Sequence, residues 1–242
     1  MELKFLGRGS AFNVKEGNTS AFIKEENRLV LIDCGSNIFD RIIKSNILDG
    51  VEQLLVMITH THPDHIGSIG DLILYCHHIK NIIPVIYINR FAGHDFDKYM
   101  GYQNVDSKMY NIIDENNSLC NMILSIFKIY DFENIYTDHV RKYTEYTCEK
   151  QSYSSAFKFK YNDKTILYTG DTNKLPDGYK NSDEIYVDCT SLDYVNNPHY
   201  YISKLYLACN GFLDKIYCMH FDSDEAISIA KELGFNVVEL YE

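Results

Sequence analysis

The sequence predicts an α/β sandwich in which two β-sheets lie between outer helices. Short apolar runs bounded by Gly, Asn or Asp recur along the chain, and stretches with helical apolar spacing fall between them in both halves. With 242 residues, 45% apolar and 24% charged, the chain can bury a core that argues against disorder or a disulfide-stapled miniprotein. Its 4 prolines and 13 glycines do not gather into a linker, so residues 1–242 are read as one domain.

In order, residues 3–6, 20–23 and 29–32 read as sequential strands. Ile38, Ile42, Ile43 and Ile47 then follow helical spacing, residues 54–58 form a buried strand, and Ile66, Ile69, Ile73 and Leu74 mark a second helix. Residues 85–88 are a further strand. The segment 89–121 is tyrosine-rich and irregular, and is expected to serve as a lid or an interface. Residues 156–161 alternate at period two, Asn162 and Asp163 mark a turn, and 165–169 return, which predicts a hairpin. A strand at 185–187, a helix at 200–209, a strand at 216–219, a helix at 224–233 and a strand at 237–240 complete the order.

The charge balance is 23 − 34 = −11 at pH 7. An acidic surface repels polyanions, and no basic tract offsets it, so long nucleic acids are not expected as partners. The seven cysteines are scattered and never spaced C-x-x-C, which reads as reduced thiols. No apolar run is long enough to span a bilayer and the opening residues carry no targeting signal, so a cytoplasmic protein without membrane contact is expected.

One segment concentrates the chemistry: Thr59-His60-Thr61-His62-Pro63-Asp64-His65-Ile66-Gly67, where a buried strand ends and a helix starts. At a strand end, residues two apart point the same way, so His60 and His62 can face one metal while the turn at Pro63 swings Asp64 and His65 toward a second. Imidazole and carboxylate suit zinc or another borderline divalent cation. A merely polar loop is the plainer alternative, but three of the chain's nine histidines within one six-residue window with an Asp argue against it.

H-x-H-x-D-H after an apolar strand resembles the metallo-β-lactamase superfamily, hydrolases with an αββα fold of two mixed sheets flanked by helices. The opening Phe5-Leu6-Gly7-Arg8-Gly9-Ser10-Ala11-Phe12, then Gly17-Asn18-Thr19-Ser20 and Leu31-Ile32-Asp33-Cys34-Gly35, are similar to the branch holding the RNase Z endonucleases and small phosphodiesterases. Within it, the overall similarity is greatest to the phage anti-Pycsar phosphodiesterases, which hydrolyse cyclic mononucleotide immune signals.

That resemblance implies three further ligands. His139 is the only histidine between His94 and His199; its distance from Asp171 makes 143–150 read as an inserted loop. Asp171, in Tyr168-Thr169-Gly170-Asp171-Thr172, matches the bridging aspartate, and His220 matches a late histidine at a strand end. The implied site puts His60, His62 and His139 on one metal, Asp64, His65 and His220 on the other, and Asp171 between them. The cofactors would be two divalent ions, Zn2+ or alternatively Mn2+, which together activate a water that Asp64 also orients. The implied substrates are the 3′,5′-cyclic forms of CMP, UMP, AMP and GMP, hydrolysed by a homodimer in the host cytoplasm. A ribonuclease trimming RNA 3′ ends is the same-fold alternative, and a nucleotide-sequestering protein the alternative of a different class.

Other features carry less. His199 and nearby tyrosines are candidates for protonating the leaving oxygen, and His199 and Ser223, at the mouth of the last helix, for touching substrate. Gly7-x-Gly9 with Ser10 lacks the ending of a phosphate-binding loop and reads as a tight turn. His77 and His78 are adjacent on a helix, where neighbours point apart, and read as solvent-facing or supporting groups. Most of the 20 tyrosines are expected to be half-buried packing.

Overall fold

The computed structural model describes residues 1–137, 139 and 154–241. Strands β1 (Lys4–Gly7), β2 (Ser20–Glu25), β3 (Arg28–Ile32), β4 (Gln53–Ile58), β5 (Val85–Ile88) and β6 (Asn111–Ile113) form one six-stranded sheet in chain order. Strands β7 (Tyr130–Thr137), β8 (Ser154–Tyr161), β9 (Lys164–Tyr168), β10 (Glu184–Asp188), β11 (Ile216–Met219) and β12 (Asn236–Val237) form the other, again in order. Both are mixed in the same way: β1–β2–β3 and β7–β8–β9 are antiparallel, while β3 to β6 and β9 to β12 run parallel.

The period-two pattern of the strands explains the layers. Val30, Ile32, Leu55, Met57 and Tyr87 of the first sheet pack with Phe157, Phe159, Ile166, Tyr168 and Tyr186 of the second, filling the space between the sheets. Their neighbours Leu29, Leu31, Leu54, Val56 and Ile58 point outward against helices α1 (Ile38–Lys44) and α3 (Ile69–Tyr75). On the far side Ile185, Val187, Ile216 and Cys218 pack against α6 (Ile202–Cys209) and α7 (Asp224–Glu232). Helix, sheet, sheet and helix thus follow one another as the sequence predicts. The short helices α2 (Pro63–Ile66), α4 (Phe96–Tyr102) and α5 (Cys120–Ile126) join the elements of the first half and lead into β7. Among the described residues no helix is long and apolar enough to cross a membrane.

Several local expectations need correcting. The helix expected across Ile66 to Leu74 is broken into α2 and α3, because the Ser68 hydroxyl donates to Gly35 O at 2.6 Å and accepts from Phe39 N at 3.1 Å, pinning the chain there. His77 and His78 do not point apart: α3 runs on as a π-helical turn over Cys76–Lys80, in which their rings meet edge to face with centroids 4.8 Å apart. The irregular segment contains α4, β6 and the start of α5, and β7 lies where no strand was expected. The last strand is shorter than read, although Leu240 still bridges to Phe5. Gly9 bridges both Asn18 and Phe221, consistent with close backbone packing rather than a phosphate loop. Six cysteines are free and buried; Cys148 and the expected loop at 143–150 lie outside the described residues.

Candidate metal centre

In the parallel part of each sheet the strands end at one edge, where open α/β sheets gather their ligands. Asp33 follows β3, Thr59 and His60 follow β4, Asp171 follows β9, Asp188 closes β10 and His220 follows β11. Three of these turns use left-handed backbone, at Asp33 (φ 63°), Gly170 (φ 57°) and His220 (φ 59°). At Gly170 a side chain is excluded as well, since a Cβ would lie 2.7 Å from Ser155 O. For Asp33 and His220 this backbone is uncommon and is held by the surrounding structure, a pattern typical of functional sites. The sheets are joined at this edge by Ser155 N donating to Thr59 O at 3.0 Å.

The motif itself is shaped by Pro63. A proline forces the preceding residue into extended backbone, and His62 (φ −66°, ψ 150°) caps α2 in that conformation with Pro63 at its first position. His62 therefore stays with His60, while Asp64 and His65 turn onto the helix. Gly35 makes room for that turn, because a Cβ there would come within 2.0 Å of Asp64 O.

Among the described residues three groups of donor atoms result: His60, His62 and His139; Asp64, His65, Asp171 and His220; and, sharing Asp171 and His220 with the second, Asp171, Asp188, His199 and His220. In the first, His62 Nδ1 lies 3.0 Å from His60 Nε2 and 3.3 Å from His139 Nε2. In the second, Asp64 Oδ2 lies 3.3 Å from both His65 Nε2 and His220 Nε2. Asp171 divides itself between them: Oδ2 is 3.4 Å from His139 Nε2 and 3.8 Å from His60 Nε2, whereas Oδ1 is 3.2 Å from His65 Nε2 and 3.3 Å from His220 Nε2. The seven side chains singled out in the sequence are thus brought together at one place.

The donor set suits divalent metal. His65 Nε2 is buried with no hydrogen-bond partner, although Asp64 Oδ2 lies 3.3 Å and Asp171 Oδ1 3.2 Å from it. Burial pushes His60, His62 and His139 below the ordinary imidazole range, keeping them in the neutral form that binds metal. Burial would lower His65 and His220 too, but Asp171 outweighs it, helped by Asp64 and Asp33 around His65 and by Asp188 beside His220, and raises both well above that range. Burial would likewise raise Asp171, yet His220 and His65 hold its carboxyl well below the usual range. Protons on His65 and His220 thus balance buried carboxylates, a charge that a dication in the second cluster would supply.

Two supporting aspartates were not read from the sequence as site residues. Asp33 Oδ2 lies 2.8 Å from His65 Nδ1 and accepts from Thr59 Oγ1 at 2.8 Å, while its Oδ1 accepts from Thr59 N at 2.8 Å. Asp188 lies between two imidazoles, 3.3 Å from His220 Nδ1 and 2.8 Å from His199 Nδ1. Carboxylates in these positions fix the orientation of a ligating imidazole and raise its basicity. The available signal was an aspartate closing each apolar strand run.

The centre forms the floor of a cleft of about 420 Å3, lined also by Ser10, Phe12, Leu192, Tyr194 and His199. Ser223 is not among its lining residues; its hydroxyl caps α7 by accepting from Ala226 N at 3.2 Å.

Comparison with known proteins agrees with this geometry. The family model of the Anti-Pycsar protein Apyc1 matches residues 1–239. The chain belongs to that family. Curated relatives include the Anti-Pycsar protein Apyc1 of Bacillus phage 010DV004, 42% identical over 77 residues, and that of Saccharibacillus brassicae, 39% identical over 72. These alignments cover 31% and 29% of this chain and 29% of each relative, so the chain spans under a third of the relatives' length in them. Solved structures that share the fold at low identity include the metallo-β-lactamase fold protein YhfI of Bacillus subtilis, with a TM-score of 0.67 at 14% identity, covering 99% of this chain and 95% of that one. A diphosphatase from the PhnP family has a TM-score of 0.69 at 14% identity, covering 99% of this chain and 95% of that one. The short form of human tRNase Z has a TM-score of 0.66 at 15% identity, covering 100% and 97%. The fold of this family member is therefore that of the metallo-β-lactamase proteins.

Proposed function

We propose that residues 1–242 act as one dinuclear-metal phosphodiesterase domain that hydrolyses 3′,5′-cyclic mononucleotides, those of CMP, UMP, AMP and GMP, to linear nucleotides. The observation that carries this reading is Asp171, whose two oxygens face two separate donor clusters. His60, His62 and His139 would hold one ion, Asp64, His65 and His220 the other, and Asp171 both; zinc suits the set, and manganese is the alternative. Bound there, a pair of divalent ions polarises the phosphoryl group and lowers the pKa of the attacking water.

The protein's own groups supply the rest. Asp64 lines the cleft and is held well below the usual carboxylate range, where burial is outweighed by His65 and by the His220 hydrogen bond, so it stays ionised and can orient the water by accepting its hydrogen bond. His199 also lines the cleft, and Asp188 fixes its Nδ1. Its Nε2 is then the atom that delivers a proton as the ring P–O bond breaks and the ribose oxygen departs. Burial would lower this imidazole, but Asp188 raises it above the ordinary range, which keeps the proton in place. A cleft of about 420 Å3 suits a small molecule. The net charge of −11 disfavours a long polyanion, whereas one cyclic phosphate meets its countercharge locally.

Membership of the anti-Pycsar family supports a role against Pycsar signalling, and the proposed setting is a phage removing a host's cyclic-nucleotide signal in the cytoplasm. A homodimer is the proposed assembly, with exposed Phe91, Tyr99 and Tyr102 of the 90–121 region near its interface. Incubating the metal-loaded protein with the four cyclic nucleotides beside a tRNA precursor, with His62→Ala as control, tests the reading. Linear mononucleotides that disappear in the control are expected. A cleaved precursor with intact cyclic nucleotides would instead assign RNA 3′ ends as substrate, and tight binding without turnover a sequestering protein.

A further inference from the structure

A single exposed phenylalanine is ordinary, but several large apolar side chains on the rim of one polar cleft call for an occupant. Phe12 is 95% exposed, Leu192 53% and Tyr194 52%, and all three line the cleft above the metal centre. They are carried on two loops, both fastened to the residues that follow His220. In the first, Ser10 N and Asn13 Nδ2 both donate to Phe221 O, at 2.9 and 3.0 Å, and Asn13 N closes a turn onto Ser10 O at 3.2 Å. Phe12 sits inside that turn. In the second, Ser191 N and Oγ each donate to the Asp222 carboxylate at 2.8 Å. Asn197 then clamps the loop, its Nδ2 donating to Leu192 O at 2.6 Å and its Oδ1 accepting from His199 N at 3.0 Å. Both loops are thus tied down where they meet the centre.

Resting on the cyclic nucleotide reading above, we propose that Phe12, aided by Leu192 and Tyr194, forms the nucleobase subsite and binds the base by its π-face. In a 3′,5′-cyclic nucleotide the base hangs from C1′, away from the ring phosphate. Anchoring phosphorus over the metal centre therefore directs the base outward to the rim. The rim offers apolar surface there, and the amide and carboxylate side chains beside it are already hydrogen-bonded. Both amide atoms of Asn197 are engaged within its own loop, both oxygens of Asp222 accept from Ser191, and Asn13 is engaged with Phe221 O and Glu16 N. Stacking is available to every base, so the subsite adds affinity without selecting sharply among bases.

The test compares cyclic AMP and cyclic CMP with the abasic ribose 3′,5′-cyclic phosphate, using wild type, Phe12→Ala and Phe12→Trp. Steady-state kcat/KM is measured for each, with calorimetric binding alongside and the oligomeric state followed by light scattering. Phe12→Ala is expected to reduce the preference for nucleotide over abasic substrate about tenfold, chiefly through KM, with Phe12→Trp restoring it. An unchanged preference overturns the subsite. So does a dimer that dissociates in Phe12→Ala while nucleotide and abasic substrates suffer equally, because the occupant is then a second copy. If wild type hydrolyses no cyclic nucleotide yet binds cyclic AMP in a Phe12-dependent manner, the enzyme reading falls and the subsite remains; no binding at all ends both.

Discussion

Asp33 and His65 are both buried, and the carboxylate Oδ2 of one lies 2.8 Å from Nδ1 of the other, so the ring can turn only its Nε2 toward Asp64 and Asp171. Thr59, whose backbone N–H and hydroxyl both reach Asp33, locks the carboxylate in turn. Replacing Asp33 by Asn keeps the size but removes the charge that, after those of Asp171 and Asp64, raises His65, and the acceptor that orients its Nδ1. Asp33→Asn should weaken metal binding by about 10–100-fold. Competition with a chromogenic chelator measures this directly, and an affinity equal to wild type would refute the role.

Because Asp171 faces both donor clusters, it should be needed for both ions. Asp171→Ala is expected to lower the metal content from two ions per chain toward none, whereas His62→Ala should remove only the ion of its own cluster. Elemental analysis after gel filtration separates these cases. Stripping the wild type with a chelator should abolish hydrolysis and lower Tm. An ion at a thousandfold its Kd stabilises the fold by about 4 kcal/mol, or on the order of 10 °C in a chain of this size. A Tm unmoved by chelator would mean that the ion does not bind the folded centre.

The sequence was most legible where burial is complete and the chemistry local. Strands β4, β5, β10 and β11 are buried runs of branched and aromatic residues, and two of them begin and end where the pattern placed them. His60, His62, Asp64 and His65 were legible because one turn holds them all. His139, Asp171 and His220 were taken from family resemblance, since a lone histidine or aspartate at a strand end is ordinary. Asp188 escaped for the same reason, and Asp33, although it stands in the Leu31-Ile32-Asp33-Cys34-Gly35 run, escaped as a site residue because it contacts a ligand from outside the histidine motif. Strand β7 escaped because it is an edge strand, largely exposed, whose Asp131, Glu133 and Asn134 obscure the alternation. Only its pairing with β8 defines it, and pairing is not written in the strand's own residues.

His199 can be tested through the leaving group. A ribose alkoxide needs a proton as it departs, but a p-nitrophenolate leaves without one. His199→Ala should therefore lower kcat for cyclic nucleotides by about 10²–10⁴-fold while affecting a p-nitrophenyl phosphodiester far less. Asp188→Asn should follow the same pattern more weakly, because it disturbs the orientation of His199 rather than removing the ring. Equal losses on both substrates would assign His199 to binding instead of proton delivery.

Stability toward acid should depend on Glu184, at the start of β10 and remote from the metal ligands in sequence. Burial would raise its carboxyl, but hydrogen bonds from the Tyr186 hydroxyl at 2.6 Å, Glu2 N at 2.8 Å and Lys164 Nζ at 3.0 Å bring it down to about 2 from the ordinary 4.5. A carboxyl depressed by folding stabilises the native state fully above its unfolded value and loses that contribution as pH falls through the folded one. The relevant window is therefore from about pH 4.5 down to about 2. At neutral pH, Glu184→Gln should cost about 2 kcal/mol, or roughly 4–8 °C in Tm. As acid is added, the wild type should lose this margin while the variant does not, and the two melting curves should converge near pH 2. Curves that stay parallel across that range would show that the stabilisation comes from packing around the side chain and not from its charge.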